Sequence, residues 1–390
     1  MSNTEKGWRT QPYRGFEQGP IRPPSEAGSL LIRVTRNCPW NHCTFCPVYK
    51  RQQFSLRPSD HVIEDIDRAA DYLDALSARA DGARRLSREA LADAYESVPH
   101  KDETAFYAVL HWYGNGAAAI FFQDANSLIM PPNELVTILR HIQARFPGIQ
   151  RITSYARSRT VARISAALLA AMRAAGLSRI HVGMESGSDA VLKMVKKGST
   201  QAIHVSAGRK IKTAGMELSE YVMPGLGGRA LSREHAIETA EALNHIDPDF
   251  IRLRTLAVPA GIPLHEDLLS GVFTKCGDLE MAEEIRLFIS RLSGITSRIH
   301  SDHILNLFEE IDGQLPEDQP AMLQLLDHFL ELPSEEQMLF QVGRRLGILR
   351  RVSDMGDSSR RAQVADICHR SGITPENMGA VIDRITTQFI

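Results

Sequence analysis

Three cysteines within nine residues are the most reactive group in this sequence. Cys38, Cys43 and Cys46 have the spacing C-x4-C-x2-C, and they account for three of the five cysteines in the chain. Soft thiolate ligands select zinc or iron-sulfur clusters. The preceding run, residues 30–35, is short, apolar and β-branched, which predicts a buried strand. The cysteines are therefore expected on the loop that follows a strand.

The number of ligands distinguishes the metals. Structural zinc is held by four ligands, and a [4Fe-4S] cluster usually takes four cysteines. Cys276 and Cys368 are far away in the sequence and are expected to be buried free thiols. His42 could be a fourth ligand, but its neighbour Cys43 already occupies that turn. Three cysteines leave one iron open to another ligand, which favours a chemical role over a structural one.

Composition and charge narrow the class of protein. The chain has 390 residues, is 43% hydrophobic and carries a net charge of -2, so nothing global indicates binding to nucleic acid or an anionic membrane. No apolar run approaches the ~20 residues of a membrane-spanning helix, and the first residues lack the apolar segment of a signal peptide. We therefore expect a cytoplasmic protein with reduced thiols.

Six apolar runs alternate with helical patterns from residue 29 to about 270. Such alternation predicts a parallel sheet with right-handed crossovers. Residues 1–28 are expected to form an irregular arm, about 51–115 a helical insertion, and 275–390 a helical C-terminal domain that includes a helix at 302–312. The predicted strands are residues 30–35, 117–122, 151–155, 178–184, 216–223 and 250–256.

Six strand-helix units are too few for an eight-stranded barrel. The predicted fold is therefore α/β, a partial (β/α)6 TIM-like barrel followed by an all-helical C-terminal domain. Active sites of such folds lie at the carboxyl ends of the strands. That rule predicts the convergence of Cys38, Asp124, Ser154, Glu185, Gly225 and Arg254.

The cysteine loop resembles that of radical S-adenosylmethionine (SAM) enzymes. That superfamily usually has C-x3-C-x2-C after the first strand of a partial barrel, with an aromatic residue before the third cysteine. Phe45 holds the aromatic position, whereas the x4 spacing between Cys38 and Cys43 is one residue longer. Glu185-Ser186-Gly187 also resembles a segment of the coproporphyrinogen oxidase-like and Elp3-like branch.

The resemblance implies a cofactor set and a reaction. Cys38, Cys43 and Cys46 would bind a [4Fe-4S] cluster whose open iron chelates SAM. Reductive cleavage of SAM would then give a 5′-deoxyadenosyl radical that abstracts hydrogen from a substrate. An electron donor such as flavodoxin or ferredoxin is implied as well. The alternative is a non-catalytic iron-sulfur electron-transfer protein or a zinc-binding protein.

The resemblance, together with the places of these residues near the strand ends, also implies roles for individual residues. Phe45 is expected near adenine, and Asp124, Ser154 and Glu185 are expected to contact SAM. The guanidinium of Arg157 suits a carboxylate, and Gly225 allows close approach of backbone to adenine. The alternatives are a helix cap for Asp124, a surface pair for Arg157 and a tight turn for Gly225.

Two of these positions are also candidates for catalysis, namely Glu185 and Arg254. Glu217, Ser219 and Arg254 alternate along their strands, which predicts that they face the barrel interior, where an interior salt bridge is the competing interpretation. The expected substrate is a small molecule. RNA stays open as a partner because of a basic run that comprises Arg344, Arg345, Arg350, Arg351, Arg360 and Arg361.

Overall fold

The computed structural model describes residues 12–82 and 84–386. Its contacts divide the chain into two compact units. The first unit comprises the described residues up to Asn41, together with Arg51–Val182 and Lys210–Leu218. The second unit comprises His42–Lys50, Gly183–Arg209 and the described residues from Ser219 onward. Part of the predicted arm, residues 1–11, lies outside the described residues, and the predicted domain boundaries stay predictions.

Ten strands are present in the described ranges. They are β1 (Leu30–Arg33), β2 (Thr35–Arg36), β3 (Ser55–Leu56), β4 (Ala119–Gln123), β5 (Arg151–Ala156), β6 (Leu177–Glu185), β7 (Glu217–Val222), β8 (Phe250–Leu253), β9 (Arg298–His300) and β10 (Gly313–Gln314). Eight of them belong to a mostly parallel sheet. This confirms the α/β class, and each predicted core strand is found.

Fifteen α-helices accompany the strands in the same ranges. They are α1 (Ser59–Arg79), α2 (Arg88–Glu96), α3 (Glu103–Gly114), α4 (Pro132–Arg145), α5 (Ser158–Val161), α6 (Ala166–Ala174), α7 (Asp189–Met194), α8 (Gln201–Thr213), α9 (Gly228–Ile246), α10 (Pro263–Leu269), α11 (Asp278–Arg291), α12 (Gln319–Glu331), α13 (Ser334–Arg345), α14 (Ser358–Arg370) and α15 (Met378–Thr386). The predicted insertion at 51–115 is largely α1, α2 and α3.

The first unit is built on parallel pairs in the order β1-β4-β5-β6. Leu30 pairs with Ile120, and Ile120 pairs in turn with Ile152. All three side chains are fully or almost fully buried. Burial on both faces of a parallel strand explains why these strands are continuous apolar runs in the sequence. A second, two-stranded ladder joins β2 to β3 in antiparallel fashion.

The second unit continues with β7-β8-β9-β10, of which only the β9-β10 pair is antiparallel. At the end of β6, the carbonyl of Glu185 accepts a hydrogen bond from the backbone N–H of Met223 at 2.9 Å. This bond holds the ends of β6 and β7 side by side.

The C-terminal region is not purely helical, and the helix predicted at 302–312 is wrong. Residues 298–314 supply β9 and β10, with irregular chain between them. Tertiary contacts explain this. The buried Asn306 amide accepts from the backbone N–H of Thr255 at 2.9 Å and donates to the carbonyl of Leu253 at 2.8 Å. Asp302, the first residue of the predicted helix, pairs with Arg252.

Within the described chain, no helix is both long enough and apolar enough to cross a bilayer.

Candidate functional site

The three clustered cysteines are half-buried and form no disulfide, whereas Cys276 and Cys368 are buried. Burial raises the pKa of Cys276 to about 12 and raises that of Cys368 as well, so both are poor thiolates. In the described ranges, no group of three or more His, Cys, Asp or Glu side chains is arranged to hold a metal ion. The donor chemistry nevertheless fits an iron-sulfur cluster, since three accessible soft ligands share one loop.

Asp124 fixes the start of the cysteine loop in the first unit. Its fully buried carboxylate accepts hydrogen bonds from Arg33, at 3.0 Å from Nε and 2.6 Å from Nη2. The same carboxylate accepts from the backbone N–H of Asn37 at 2.9 Å. Asn37 directly precedes Cys38. Asp124, predicted to contact SAM, therefore has intramolecular partners that set the backbone next to the first cysteine.

Two asparagines on either side of Cys38 hold the longer first part of the loop. Asn37 and Asn41 have φ of 66° and 48°, a left-handed conformation that asparagine tolerates better than most residues. Their side-chain amides donate to backbone carbonyls, Asn37 to Gln53 at 2.6 Å and Asn41 to Gln52 at 3.4 Å. The four-residue spacer is thus held against the segment before β3.

Ser154 and Arg157 lie at the end of β5, in the first unit. The guanidinium of Arg157 lies 5.1 Å from the ring centroid of Trp40, a cation–π contact to the cysteine loop itself. The backbone N–H of Arg157 donates to Asn126 Oδ1 at 3.0 Å. Ser154 is fully buried and its hydroxyl donates to the carbonyl of Tyr155 at 3.0 Å. Arg157 therefore reaches the loop that carries the thiols.

The second half of the cysteine loop is seated on apolar side chains of the second unit. Cys43 and Cys46 pack against a buried cluster that contains Phe45, Val191, Val195, Met223, Leu226, Leu256, Ile262, Leu264 and Phe273. Thr44 is pinned at its backbone, because its N–H donates to Val195 at 3.0 Å and its carbonyl accepts from Leu264 at 3.2 Å. Lys50 Nζ donates to the carbonyl of Cys43 at 2.7 Å.

Phe45 is linked to Glu185 through a lysine. Lys197 Nζ lies 5.7 Å from the centroid of the Phe45 ring and donates to Glu185 Oε1 at 2.9 Å. Both charged side chains are about seven-eighths buried. Glu185 ends β6 with φ of 65°, an unusual backbone for a non-glycine residue. The structure thus brings two predicted site residues together, with Lys197 as an unforeseen member.

Glu220 is a second unforeseen carboxyl group beside this pair. It is 1% exposed, and neither carboxyl oxygen has a hydrogen-bond partner within the described chain. Burial raises its pKa well above the usual range and the charge of Glu185 adds to this, while Lys197 opposes it. The surroundings of this carboxyl therefore favour its protonated form more than water does. The available signal was an acidic side chain in the middle of a predicted strand.

Strand alternation selected two other residues of β7 as inward-facing. Glu217 is instead exposed and pairs with Arg179 at 2.8 Å, both in the first unit. Ser219, in the second unit, is fully buried and its hydroxyl lacks a partner among the described residues. The prediction for Glu217 as an inward-facing residue is wrong.

Gly225 and Arg254 have other neighbours. The N–H of Gly225 donates to Glu284 Oε1 at 2.7 Å, and its φ of 84° requires glycine for the turn. Arg254 is exposed. Burial lowers the pKa of His303 to about 4, and the charge of Arg254 contributes to this. Both residues therefore lie in the second unit, with neighbours other than Phe45.

The basic run near the C-terminus is largely neutralised. Arg345 is buried and bonds to Asp278, whereas Arg344 and Arg350 both approach Glu309. Arg361 pairs with Glu336. Paired arginines present little free positive charge to a phosphate backbone.

No protein-family model matches the chain. A tRNA uridine(34) acetyltransferase from Methanocaldococcus infernus is 26% identical over 112 residues, which is 28% of this chain and 21% of that protein. The chain thus spans about a fifth of the length of this curated relative.

Three solved structures are similar to parts of this chain. Elp3 of Methanocaldococcus infernus, with an N-terminal deletion, has 18% identity and a TM-score of 0.38 over 47% of this chain and 48% of that one. Methylornithine synthase has 15% identity and a TM-score of 0.42, with 76% and 68% covered. Coproporphyrinogen III oxidase of Escherichia coli, described as a radical SAM enzyme, has 14% identity and a TM-score of 0.43, with 67% and 52% covered. The resemblance of the chain to radical SAM enzymes thus rests on its cysteine motif, and these structures are similar to it only in part.

Proposed function

We propose that this protein is a radical SAM enzyme that acts on a small molecule. The observation that carries the proposal is the setting of Phe45 between two half-buried cysteines of the motif and next to the Lys197–Glu185 pair. When bound, a [4Fe-4S] cluster and SAM supply a 5′-deoxyadenosyl radical that abstracts a hydrogen atom from the substrate.

In this proposal Cys38, Cys43 and Cys46 hold the cluster. The support is their donor chemistry and their backbone anchoring. Asp124 holds the N–H before Cys38, and Lys50 holds the carbonyl of Cys43. Ligands whose backbone is hydrogen-bonded lose less conformational entropy when they bind a metal, which favours cluster assembly.

The charged groups of the second unit suit the polar parts of SAM. Glu185 offers a carboxylate to hydroxyl or ammonium donors, and Lys197 fixes its direction at 2.9 Å. Glu220, whose pKa is raised by burial, lies beside this pair in the same unit. Phe45 supplies an aromatic face for adenine. The contacts of Ser154, Arg157 and Gly225 with SAM, and catalysis by Glu185 and Arg254, stay predictions.

The proposed partners are a small-molecule substrate and a reducing protein such as flavodoxin or ferredoxin. The curated relative acts on tRNA by its name, but the pairing of the C-terminal arginines favours a small substrate here.

The test is reductive cleavage of SAM. The protein is reconstituted anaerobically with iron and sulfide, reduced with dithionite and mixed with SAM, and 5′-deoxyadenosine is measured by mass spectrometry. We expect product from the wild type, and loss of both iron and product in Cys46→Ala. Cys368→Ala is the matched control, because it removes a buried thiol outside the motif, and it should keep both.

Two outcomes would overturn the proposal. A fully loaded cluster without any 5′-deoxyadenosine would favour a non-catalytic iron-sulfur protein. Tight binding of one zinc ion, with no iron taken up, would favour the zinc alternative.

A further inference from the structure

A cavity of about 410 Å3 lies wholly within the second unit and is not used by the proposed function. Its walls come from the first turn of α11, from α13, from α15 and from the chain that follows β8. The volume is within the usual range of small-molecule sites. Apolar side chains, among them Met281, Leu305 and Ile382, and charged side chains share the lining.

The first turn of α11 presents unused hydrogen-bond donors to this cavity. Glu280 accepts the backbone N–H of Gly277 at 2.7 Å, which is one half of a capping box. The other half is missing because Gly277, at the N-cap, has no side chain to accept from the helix. Within the described chain no acceptor contacts the N–H of Leu279 or Glu280. Such a helix start attracts a negatively charged oxygen.

A buried arginine in the same lining provides an independent donor. Arg345 is 7% exposed. Its Nη1 donates to the carbonyl of Leu305 at 2.8 Å, and its Nη2 to the Asp278 carboxylate at 2.8 and 3.1 Å. Its Nε has no partner in the described ranges. A buried donor without an acceptor is costly, so an oxygen from a ligand would relieve it.

The charge balance of the lining defines the kind of ligand. Three basic and four acidic side chains line the cavity, and six of them form the pairs Arg345–Asp278, Arg229–Glu280 and Lys275–Asp383. Glu376 is exposed and makes no ion pair within the described chain, and a hydrogen bond from Thr374 lowers its pKa. Surplus negative charge disfavours a polyanion, whereas a molecule with one carboxylate and one ammonium group matches both the unused donors and Glu376.

We propose that this cavity binds a zwitterionic amino acid with an apolar side chain. Its carboxylate lies at the first turn of α11 and Arg345 Nε, its ammonium group faces Glu376, and its side chain contacts Met281 and Ile382. This proposal does not rest on the proposed function.

The experiment is calorimetric titration of the purified full-length protein with three probes of similar shape. L-leucine carries both charges, 4-methylpentanoate lacks the ammonium group, and 3-methylbutan-1-amine lacks the carboxylate. We expect L-leucine to bind at least tenfold more tightly than either. Gly277→Ser supplies the missing N-cap acceptor, so it should raise Tm and weaken leucine at least fivefold, whereas Gly277→Ala should leave leucine binding within twofold of wild type.

A second variant tests the other end of the ligand. Glu376→Gln should weaken leucine and leave 4-methylpentanoate unchanged. The proposal is overturned if millimolar L-leucine gives no binding heat, if 4-methylpentanoate binds as tightly as leucine, or if Gly277→Ser and Gly277→Ala bind leucine equally well.

Discussion

Replacement of Asp124 by asparagine tests the anchoring of the first cysteine. The Asp124 carboxylate accepts three hydrogen bonds, two from Arg33 and one from the N–H of Asn37. An asparagine keeps one carbonyl acceptor and loses the charge. Removal of one partner from a buried ion pair costs roughly 3–5 kcal/mol. Arg33 is 16% exposed and keeps some solvation, which places the expected loss of stability lower, at about 2 kcal/mol.

That loss divides into a global and a local effect. About 2 kcal/mol lowers the ratio of folded to unfolded protein by roughly 30-fold, which denaturant titration followed by circular dichroism measures directly. The local effect is a freed N–H at Asn37 and a looser backbone before Cys38. We therefore expect Asp124→Asn, reconstituted under native conditions, to hold less than half of the wild-type iron per chain.

Asp102→Asn is the matched control for this experiment. Asp102 is also a nearly buried aspartate of the first unit, and it bonds to Arg68. This variant should lose stability to a similar extent and keep its iron. The reasoning would be refuted if Asp124→Asn retained as much iron as Asp102→Asn, or if its stability equalled that of the wild type.

Three further changes probe other contacts. Lys197→Met should weaken SAM binding roughly tenfold, since a charge-assisted hydrogen bond contributes about 1.5–3 kcal/mol; unchanged affinity in equilibrium dialysis would argue against the assignment. Burial alone would raise the pKa of Glu26, but the nearby His181, the hydrogen bond from Ser29 and the charge of Arg151 lower it to about 2. The stability it contributes is thus complete above the unfolded value near ~4.3 and is lost as pH falls towards 2, so Glu26→Gln should flatten acid unfolding in that window, and an unaltered pH profile would contradict this. Asn41→Ala should lose more iron than Asn41→Gly, because a left-handed backbone costs alanine about 1 kcal/mol or more; the reverse order would exclude backbone strain as the cause.

The core strands were predictable because parallel strands buried on both faces leave continuous apolar runs in the sequence. The site depended on finer geometry. The alternation of side chains along a strand wrongly placed Glu217 on the inside and overlooked Glu220. Alternation alone does not take account of burial by a neighbouring layer of the structure. The lysine that joins Phe45 to Glu185 comes from the turn between α7 and α8, and no local pattern marks it.

The helix predicted at 302–312 failed for a related reason. Helical spacing of apolar residues was present, but Asn306 satisfies backbone groups at the end of β8, and Asp302 pairs with Arg252. Tertiary hydrogen bonds of this kind override local propensity and leave no periodic signal. The anchoring of the cysteine loop by Asp124 was hidden likewise, because the two partners are 87 residues apart.

The side chain of Gln123 has a consequence for how the N-terminal arm can evolve. Its amide contacts only backbone, accepting from the N–H of Gly19 at 2.8 Å and donating to the carbonyls of Gly19 at 3.1 Å and Ile21 at 2.6 Å. Recognition through the main chain is indifferent to which side chains the arm carries. The exception is Gly19, where an added Cβ would lie 2.0 Å from Asp124 Oδ1. In related sequences we therefore expect the residues on either side of this position to vary, and the glycine itself to be kept. An alignment centred on that glycine would identify the arm even where overall sequence similarity is too low to do so.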